Sequence, residues 1–181
     1  MPRYGKLAAQ IIELLSLGSN LGFVRNKKTR GKLYNDSDQV WFSTDRKLLT
    51  SLLHKFRLQG YIENIIDSNR IERIKLTNRG RARALEYAFV KLKLPTKKKW
   101  DRKWRLVLFD IPETKKKTRD ALRRKLKNLG FMEFQKSVFI YPYPCADEIN
   151  FVINFFNIHE NVFYLEAPIA PDNQFRTHFK L

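Results

Sequence analysis

The most regular pattern of apolar and polar positions lies between Trp104 and Tyr143. It opens with the letters WRLVLFDIP, a short apolar run stopped by proline, which predicts a buried strand that ends in a turn. The next residues, roughly 114–129, place leucines at helical spacing, and Gly130 follows them as a typical left-handed cap. This stretch therefore predicts a strand followed by an amphipathic helix.

Two further strands and a second helix are predicted downstream. The run 131–141 is rich in β-branched and aromatic residues, and it predicts a strand with a hairpin break inside it. Residues 147–156 place apolar side chains on one helical face, and residues 161–167 predict a last strand. The order β-α-β-β-α-β is that of the ferredoxin-like split motif, so the fold class predicted for this half is α+β.

The N-terminal half shows a different order of elements. Residues 4–17 have leucine and isoleucine at helical spacing and predict an amphipathic helix, whereas the polar segment 18–42 predicts no helix. Residues 44–59 predict a second amphipathic helix, which Gly60 ends. Its polar side carries six residues that could meet DNA, namely Arg46, Lys47, Thr50, Ser51, His54 and Lys55.

A hairpin and a third helix follow. Residues 61–66 and 70–76 predict two strands around the turn 67–69, and Thr77 is expected to cap the next helix. For that helix we expect the inward side to carry Ala82, Leu85, Ala88, Phe89 and Leu92. Helix, hairpin and helix in this order predict a winged helix-turn-helix, with the helix before the hairpin as the recognition helix and the hairpin as the wing.

The segment 93–103 is the predicted boundary between two domains, because it holds a proline, three consecutive lysines and little apolar content. We therefore expect a winged-helix DNA-binding domain at residues 1–95 and a ferredoxin-like dimerisation domain at residues 96–181. Trp100 and Trp104 lie at this boundary, and we expect them to pack onto the second domain rather than stack on bases.

The distribution of charge indicates a polyanionic partner. The chain has 181 residues and a net charge of +18, and residues 1–99 hold 22 Lys and Arg against 8 Asp and Glu. Double-stranded DNA is the expected partner, with contacts also from the basic loop at Lys27 and Lys28 and from the hairpin at Arg70 and Arg73. The alternatives are a basic surface that serves solubility and a winged helix that contacts proteins only.

The sequence argues against disulfide-bonded, membrane-spanning, secreted and zinc-binding proteins. The single cysteine, Cys145, cannot form an intrachain disulfide. No apolar run approaches the roughly 20 residues needed to span a bilayer, and the N-terminus lacks a signal-peptide pattern, so a cytoplasmic protein without membrane contact is expected. The sequence also lacks a Cys/His zinc pattern and a phosphate-binding loop motif.

The letters LVLFDIP at 106–112, the basic helix that ends in Leu-Gly, and QKSVF at 135–139 resemble a known domain. It is the small CRISPR-associated nuclease of the spacer-integration complex, and still more closely the version of it inside the phenylacetate-operon repressor (PaaX-like) family. The resemblance covers roughly residues 100–168 well and the first 95 residues more loosely. In those repressors a winged-helix domain precedes the ferredoxin-like domain, and a further C-terminal domain follows that is not part of these 181 residues.

The resemblance implies a dimeric, non-enzymatic transcriptional regulator, with a metal-dependent nuclease acting on DNA or RNA as the alternative. In the CRISPR-associated nucleases the aspartate that matches Asp110 lies at a two-fold dimer interface and is implicated in phosphodiester cleavage. This implies Asp110 as a candidate catalytic residue and as a candidate ligand of Mg²⁺. The alternative role for Asp110 is to cap the turn that follows it.

A homodimer through residues 100–168 is also expected from the apolar pattern. The strand that begins at Trp104 is apolar on both faces, while two helices cover only one face of a four-stranded sheet. A second copy of the sheet is the expected cover for the other face, as in the family. Such a dimer would present two winged helices to a palindromic site.

Overall fold

The computed structural model describes residues 5–16, 21–23, 46–66, 72–95 and 99–181. The chain divides into two compact units, Met1–Val90 and Lys91–Leu181. Both units combine helices with an antiparallel sheet, which makes the fold class α+β. Within the described ranges, no helix has both the length and the apolar character that a membrane crossing requires.

The first unit has a three-stranded antiparallel sheet whose strand order is β1-β3-β2. Its described elements are α1 (Gly5–Ser16), β1 (Leu21–Phe23), α2 (Arg46–Leu58), β2 (Ile62–Ile66), β3 (Glu72–Leu76) and α3 (Asn78–Lys91). The predicted helix before the hairpin and the two hairpin strands are confirmed with narrower bounds. Strand β1 falls in the polar segment 18–42, for which the sequence predicted no helix, and the turn at 67–69 lies outside the described residues.

The core of the first unit lies between α1, α2 and the sheet. The helices contribute Ala8, Ile11, Ile12, Leu15, Leu49, Leu52, Leu53 and Phe56, and the sheet contributes Ile62, Ile74 and Leu76. Each of these side chains is buried, as the helical and alternating spacing of the sequence requires. The described strands β2 and β3 therefore form an amphipathic hairpin that packs on one face only.

The inward side of α3 differs from the expectation. Leu85 is 53% exposed, and the side that packs on the core instead carries Gly80, Ala84 and Tyr87. The reason is the close approach at Gly80, where a Cβ atom would collide with the carbonyl oxygen of Tyr61. This contact sets the rotation of the helix, and it overrides the apolar spacing of Leu85 and its neighbours.

The second unit confirms the predicted order of elements. It contains β4 (Trp104–Phe109), α4 (Lys116–Asn128), β5 (Met132–Gln135), β6 (Val138–Tyr141), α5 (Ala146–Phe156), β7 (Val162–Ala167) and α6 (Asn173–Phe179). The strands form one antiparallel sheet in the order β5-β6-β4-β7, which suits the ferredoxin-like motif. Gly130, after α4, has a φ angle of 95° and confirms the predicted left-handed cap.

The two faces of this sheet bury different side chains. Along β4, Arg105, Val107 and Phe109 alternate with Trp104, Leu106 and Leu108. Phe109 stacks on Phe139 of β6 with ring centroids 5.9 Å apart. The buried sides of α4 and α5 pack on the face of the sheet that carries Val107 and Phe109, and we call it the helix face. We call the opposite face, which carries Trp104, the outer face.

The outer face is partly covered within one chain, whereas the sequence analysis expected a second copy of the sheet to cover it. The segment after β7 forms α6, an element that the sequence did not predict, and its Phe175 is buried against Trp104 and Ile140. Trp100, Ile169 and Phe179 pack around the same cluster. The far part of the outer face stays open on β7, where Phe163 is 61% and Leu165 is 51% exposed.

Candidate nucleic-acid interface

Helix α2 buries four apolar side chains on one side and exposes polar side chains on the other. Leu49, Leu52, Leu53 and Phe56 are buried in the core of the first unit. The opposite side carries Lys47, Thr50, Ser51, His54 and Lys55, and all five of these side chains are exposed. A helix with one basic side made of short polar and cationic residues has the composition needed to enter a DNA major groove.

A short connection joins α2 to the hairpin, and the contacts around it hold the two elements together. The backbone N–H of Tyr61 donates to the carbonyl oxygen of Phe56 at 2.9 Å, and Phe56 and Tyr61 pack edge to face. Thr77, after the hairpin, donates through Oγ1 to the carbonyl oxygen of Gly60 at 2.7 Å, while the N–H of Gly80 donates to that Oγ1 at 3.0 Å. The predicted capping role of Thr77 is thereby confirmed, and one hydroxyl joins the start of α3 to the end of α2.

The remaining predicted DNA contacts are described only in part. The backbones of Arg46 and Arg73 lie in α2 and β3, where Arg73 pairs with Ile65 and Gly22, and their side chains are outside the described part of the structure. Lys27, Lys28 and Arg70 lie outside the described residues altogether. The DNA contacts expected from these five residues therefore remain predictions.

Asp110 lies at the end of β4, and its side chain is exposed. Its backbone is tied to the start of β7, because the N–H of Asp110 donates to the carbonyl oxygen of Asn161 at 2.9 Å and Asn161 Nδ2 donates to the carbonyl oxygen of Asp110 at 3.0 Å. The main chain is therefore fixed, and the carboxylate is presented to solvent at the end of the strand.

A Mg²⁺ ion binds through one or two carboxylates together with several waters and substrate phosphates. Among the described residues, no group of three or more His, Cys, Asp and Glu side chains could hold a metal ion. Asp110 therefore belongs to no such group within the described part of the chain.

Comparison with known proteins decides the class of the second unit. Residues 97–177 match the family model described as the PaaX protein central Cas2-like domain. The second unit is similar to this Cas2-like domain of PaaX proteins. The resemblance expected from the letters LVLFDIP and QKSVF is thus confirmed, and the match runs from within the boundary segment into α6.

No curated protein sequence matches the chain. Among solved structures, an uncharacterized protein, Rv0674 from Mycobacterium tuberculosis, aligns over 98% of this chain with 17% identity and a TM-score of 0.41. The chain spans 66% of the length of that protein.

The Cas2-like domain contains a buried polar cluster around Arg105, a residue whose burial the sequence did not reveal. The Arg105 side chain is 2% exposed, and it donates to both carboxylate oxygens of Asp101 at 2.5 and 2.6 Å. It also donates to the carbonyl oxygens of Lys103 and Pro142, and Glu166 lies 3.5 Å away. The hydrogen bond from Arg105 lowers the pKa of Asp101 to about 2.

Cys145 lies beside this cluster, and its side chain is buried. Burial raises the pKa of its thiol to about 12. The hydroxyl of Tyr164 lies 4.0 Å from the sulfur, and it donates to Glu166 at 2.9 Å. The contact also shows that the N-terminus of α5 sits on the helix face of the sheet, where Tyr164 pairs with Val107.

The basic side of α4 is partly neutralised within the Cas2-like domain. Arg119 and Lys116 pair with Glu113 at 2.7 and 3.5 Å, and Arg123 and Lys127 both pair with Glu133. These pairs lower the pKa values of Glu113 and Glu133. Four of the basic residues of α4 are therefore engaged in local ion pairs.

Proposed function

We propose that this protein is a DNA-binding transcriptional regulator of the PaaX type. In this proposal residues 1–95 form a winged-helix domain that binds double-stranded DNA, and residues 96–181 form a Cas2-like domain that dimerises. The observation that carries the proposal is the polar side of α2, where Lys47, Thr50, Ser51, His54 and Lys55 are exposed immediately before an antiparallel hairpin. The match of residues 97–177 to the PaaX central domain supports the same function.

The arrangement of the first unit suits a winged helix. Helix α2 would enter the major groove as the recognition helix, and the β2–β3 hairpin would lie beside the duplex as the wing. Strand β1 pairs with β3 on the side away from β2, so it completes a small sheet that supports the hairpin. Lysines and arginines would bind phosphates and give most of the affinity, while Thr50, Ser51 and His54 would read base edges.

The open part of the outer face supports the proposed dimer. Phe163 and Leu165 lie on β7 opposite Leu108 and Leu106, so they form a continuous apolar patch on an edge strand. Exposed patches of this kind mark association surfaces, and a two-fold contact lets one patch cover its own copy. A dimer through residues 100–168 would bring two recognition helices to one operator.

The experiment that tests the proposed function is binding of the purified protein to genomic DNA fragments, followed by sequencing of the bound fraction. A regulator is expected to enrich a small set of fragments that share a two-fold symmetric motif. The double variant Lys47→Ala with Lys55→Ala should lose this enrichment while it keeps the thermal unfolding curve of the wild type. Recovery of fragments without any preferred sequence by the wild type would contradict the proposal.

A metal-dependent nuclease is the second candidate, because Asp110 is exposed at the end of β4 in a Cas2-like domain. In that case two copies of Asp110 across a dimer axis would hold one divalent cation, which would polarise a phosphate for attack by water. The regulator is preferred, since Lys47, Thr50, Ser51, His54 and Lys55 give α2 an exposed polar side within one chain.

A further inference from the structure

Arg57 belongs to the polar side of α2, although the sequence did not single it out. Thr50, His54 and Arg57 follow one another at spacings of four and three residues, which places them in one row on the helix surface. The Arg57 side chain is exposed, like those of Thr50 and His54. It lies in the last turn of the helix, where the helix dipole favours a cation.

Asn64 holds this arginine from the neighbouring hairpin. Asn64 is two residues from Ile62 on β2, so both lie on the face of the sheet that meets the helices, and Asn64 pairs with the buried Ile74. Arg57 Nη2 donates a hydrogen bond to Asn64 Oδ1 at 3.0 Å. A polar amide at the border of an apolar face therefore bridges the helix to the hairpin.

The bridge leaves Arg57 suited to bind an anion. A guanidinium has five N–H donors in a rigid fork, and the bond to Asn64 uses one of them. A fork that is already oriented loses less side-chain entropy when it binds a phosphate in bidentate fashion. Arg57 sits at the C-terminal end of α2, whereas recognition helices contact base edges mainly through their N-terminal residues, so a backbone phosphate fits better than a base.

We propose that Arg57 is a DNA-phosphate contact oriented by Asn64, so that α2 and the hairpin dock on the duplex as one body. This inference rests on the proposed function, since it assumes that the first unit binds double-stranded DNA. Asn64 acts through Arg57 and is a positioning residue. The ligand is the phosphate backbone of a duplex, and the contact is independent of base sequence.

The test compares four variants by fluorescence anisotropy with a random-sequence duplex of about 25 base pairs, over a range of salt concentrations. Arg57→Ala should weaken binding roughly fivefold to tenfold and reduce the salt slope by about 0.9 for each protomer, because one phosphate contact is lost. Arg57→Lys should keep the slope and lose part of the affinity. Asn64→Ala should also keep the slope and weaken binding roughly twofold to fourfold, because the charge stays but its orientation is lost.

Arg124→Ala is the matched control, since Arg124 is an exposed helical arginine of the Cas2-like domain and its removal changes the net charge equally. Equal losses for Arg57→Ala and Arg124→Ala would overturn the inference and assign the effect to net charge. A change of slope in Asn64→Ala would overturn the orienting role. A wild type that fails to bind the duplex contradicts the proposed function itself, which separates the two failures; circular dichroism confirms that each variant is folded.

Discussion

Trp104 Nε1 donates a hydrogen bond to Asp172 Oδ2 at 3.2 Å, across 68 residues of sequence. The bond joins the first strand of the Cas2-like sheet to the start of α6, and it places Phe175 over the outer face. The ring centroids of Phe175 and Trp104 are separated by 5.4 Å. Arg176 adds a cation–π contact with Trp100 at 5.1 Å. Helix α6 is thus an integral part of this domain.

The first prediction concerns Phe175, whose side chain is 1% exposed. Phe175→Ala should reduce the free energy of unfolding by about 3–5 kcal/mol, because it removes a buried aromatic ring and leaves a cavity between Trp104 and Ile140. Urea unfolding followed by tryptophan fluorescence measures this change. The neighbouring exposed residue gives the control, Gln174→Ala, which should change the free energy by less than about 0.5 kcal/mol. Similar small effects for both variants would show that α6 does not hold the outer face.

The second prediction concerns the pH dependence of the Asp101–Arg105 pair. The pKa of Asp101 is held at about 2 in the folded protein, below its ordinary value of 3.8, so its stabilisation is complete above pH 4 and is lost as the pH falls towards 2. Asp101→Asn should lower the free energy of unfolding by about 1 kcal/mol at pH 6, because buried Arg105 loses a charged acceptor, while solvent screens the 45% exposed Asp101.

The measurement is urea unfolding of wild type and Asp101→Asn between pH 6 and pH 2.5. The difference between the two proteins should narrow as the pH falls below 4. Asp147→Asn, which removes an exposed carboxylate from α5, serves as the control. A difference that stays constant over this range would contradict the role of the pair.

The elements of the Cas2-like domain could be predicted from sequence because each one carries its own local signal. Pro112 follows strand β4, Gly130 follows α4, and α5 has an apolar side. Helix α6 has no such signal, since within its seven residues only Phe175 is buried and its site is made by distant residues such as Trp104. The burial of Arg105 likewise depends on partners from three separate segments.

The side of α3 that faces the core could not be predicted from hydrophobic spacing, for a different reason. Two apolar rows run along this helix, one through Leu85 and one through Ala84, and their spacing fits the helix equally well. The close contact between Gly80 and the carbonyl oxygen of Tyr61 selects the second row. That contact is tertiary, so hydrophobic periodicity alone could not reveal it.

The third prediction concerns the proposed dimer. Phe163→Asp should convert a dimer to a monomer, because it puts a charge into the centre of the exposed apolar patch on β7. Light scattering at micromolar concentration should give about twice the chain mass for wild type and the chain mass for the variant. Asn150→Asp adds the same charge to the exposed side of α5 and should stay dimeric. A monomeric wild type would refute the proposed association.

The fourth prediction separates the two candidate functions at Asp110. For a regulator, Asp110→Asn should leave DNA affinity unchanged, because the residue lies in the Cas2-like domain and the proposed contacts lie on α2. The assay incubates labelled single- and double-stranded DNA and RNA with both proteins in Mg²⁺ or Mn²⁺, with and without EDTA. No cleavage is expected. Metal-dependent cleavage by the wild type that Asp110→Asn abolishes would favour the nuclease.

The salt dependence of duplex binding tests the central claim most directly. If the basic side of α2 and the hairpin bind phosphates, a plot of log K against log salt concentration should have a slope of about −4 to −8, which corresponds to roughly five to nine phosphates neutralised by a dimer. Lys47→Ala should make this slope shallower by about 0.9 per protomer. Affinity that stays constant between low and physiological salt would contradict the account of this protein as a DNA-binding regulator.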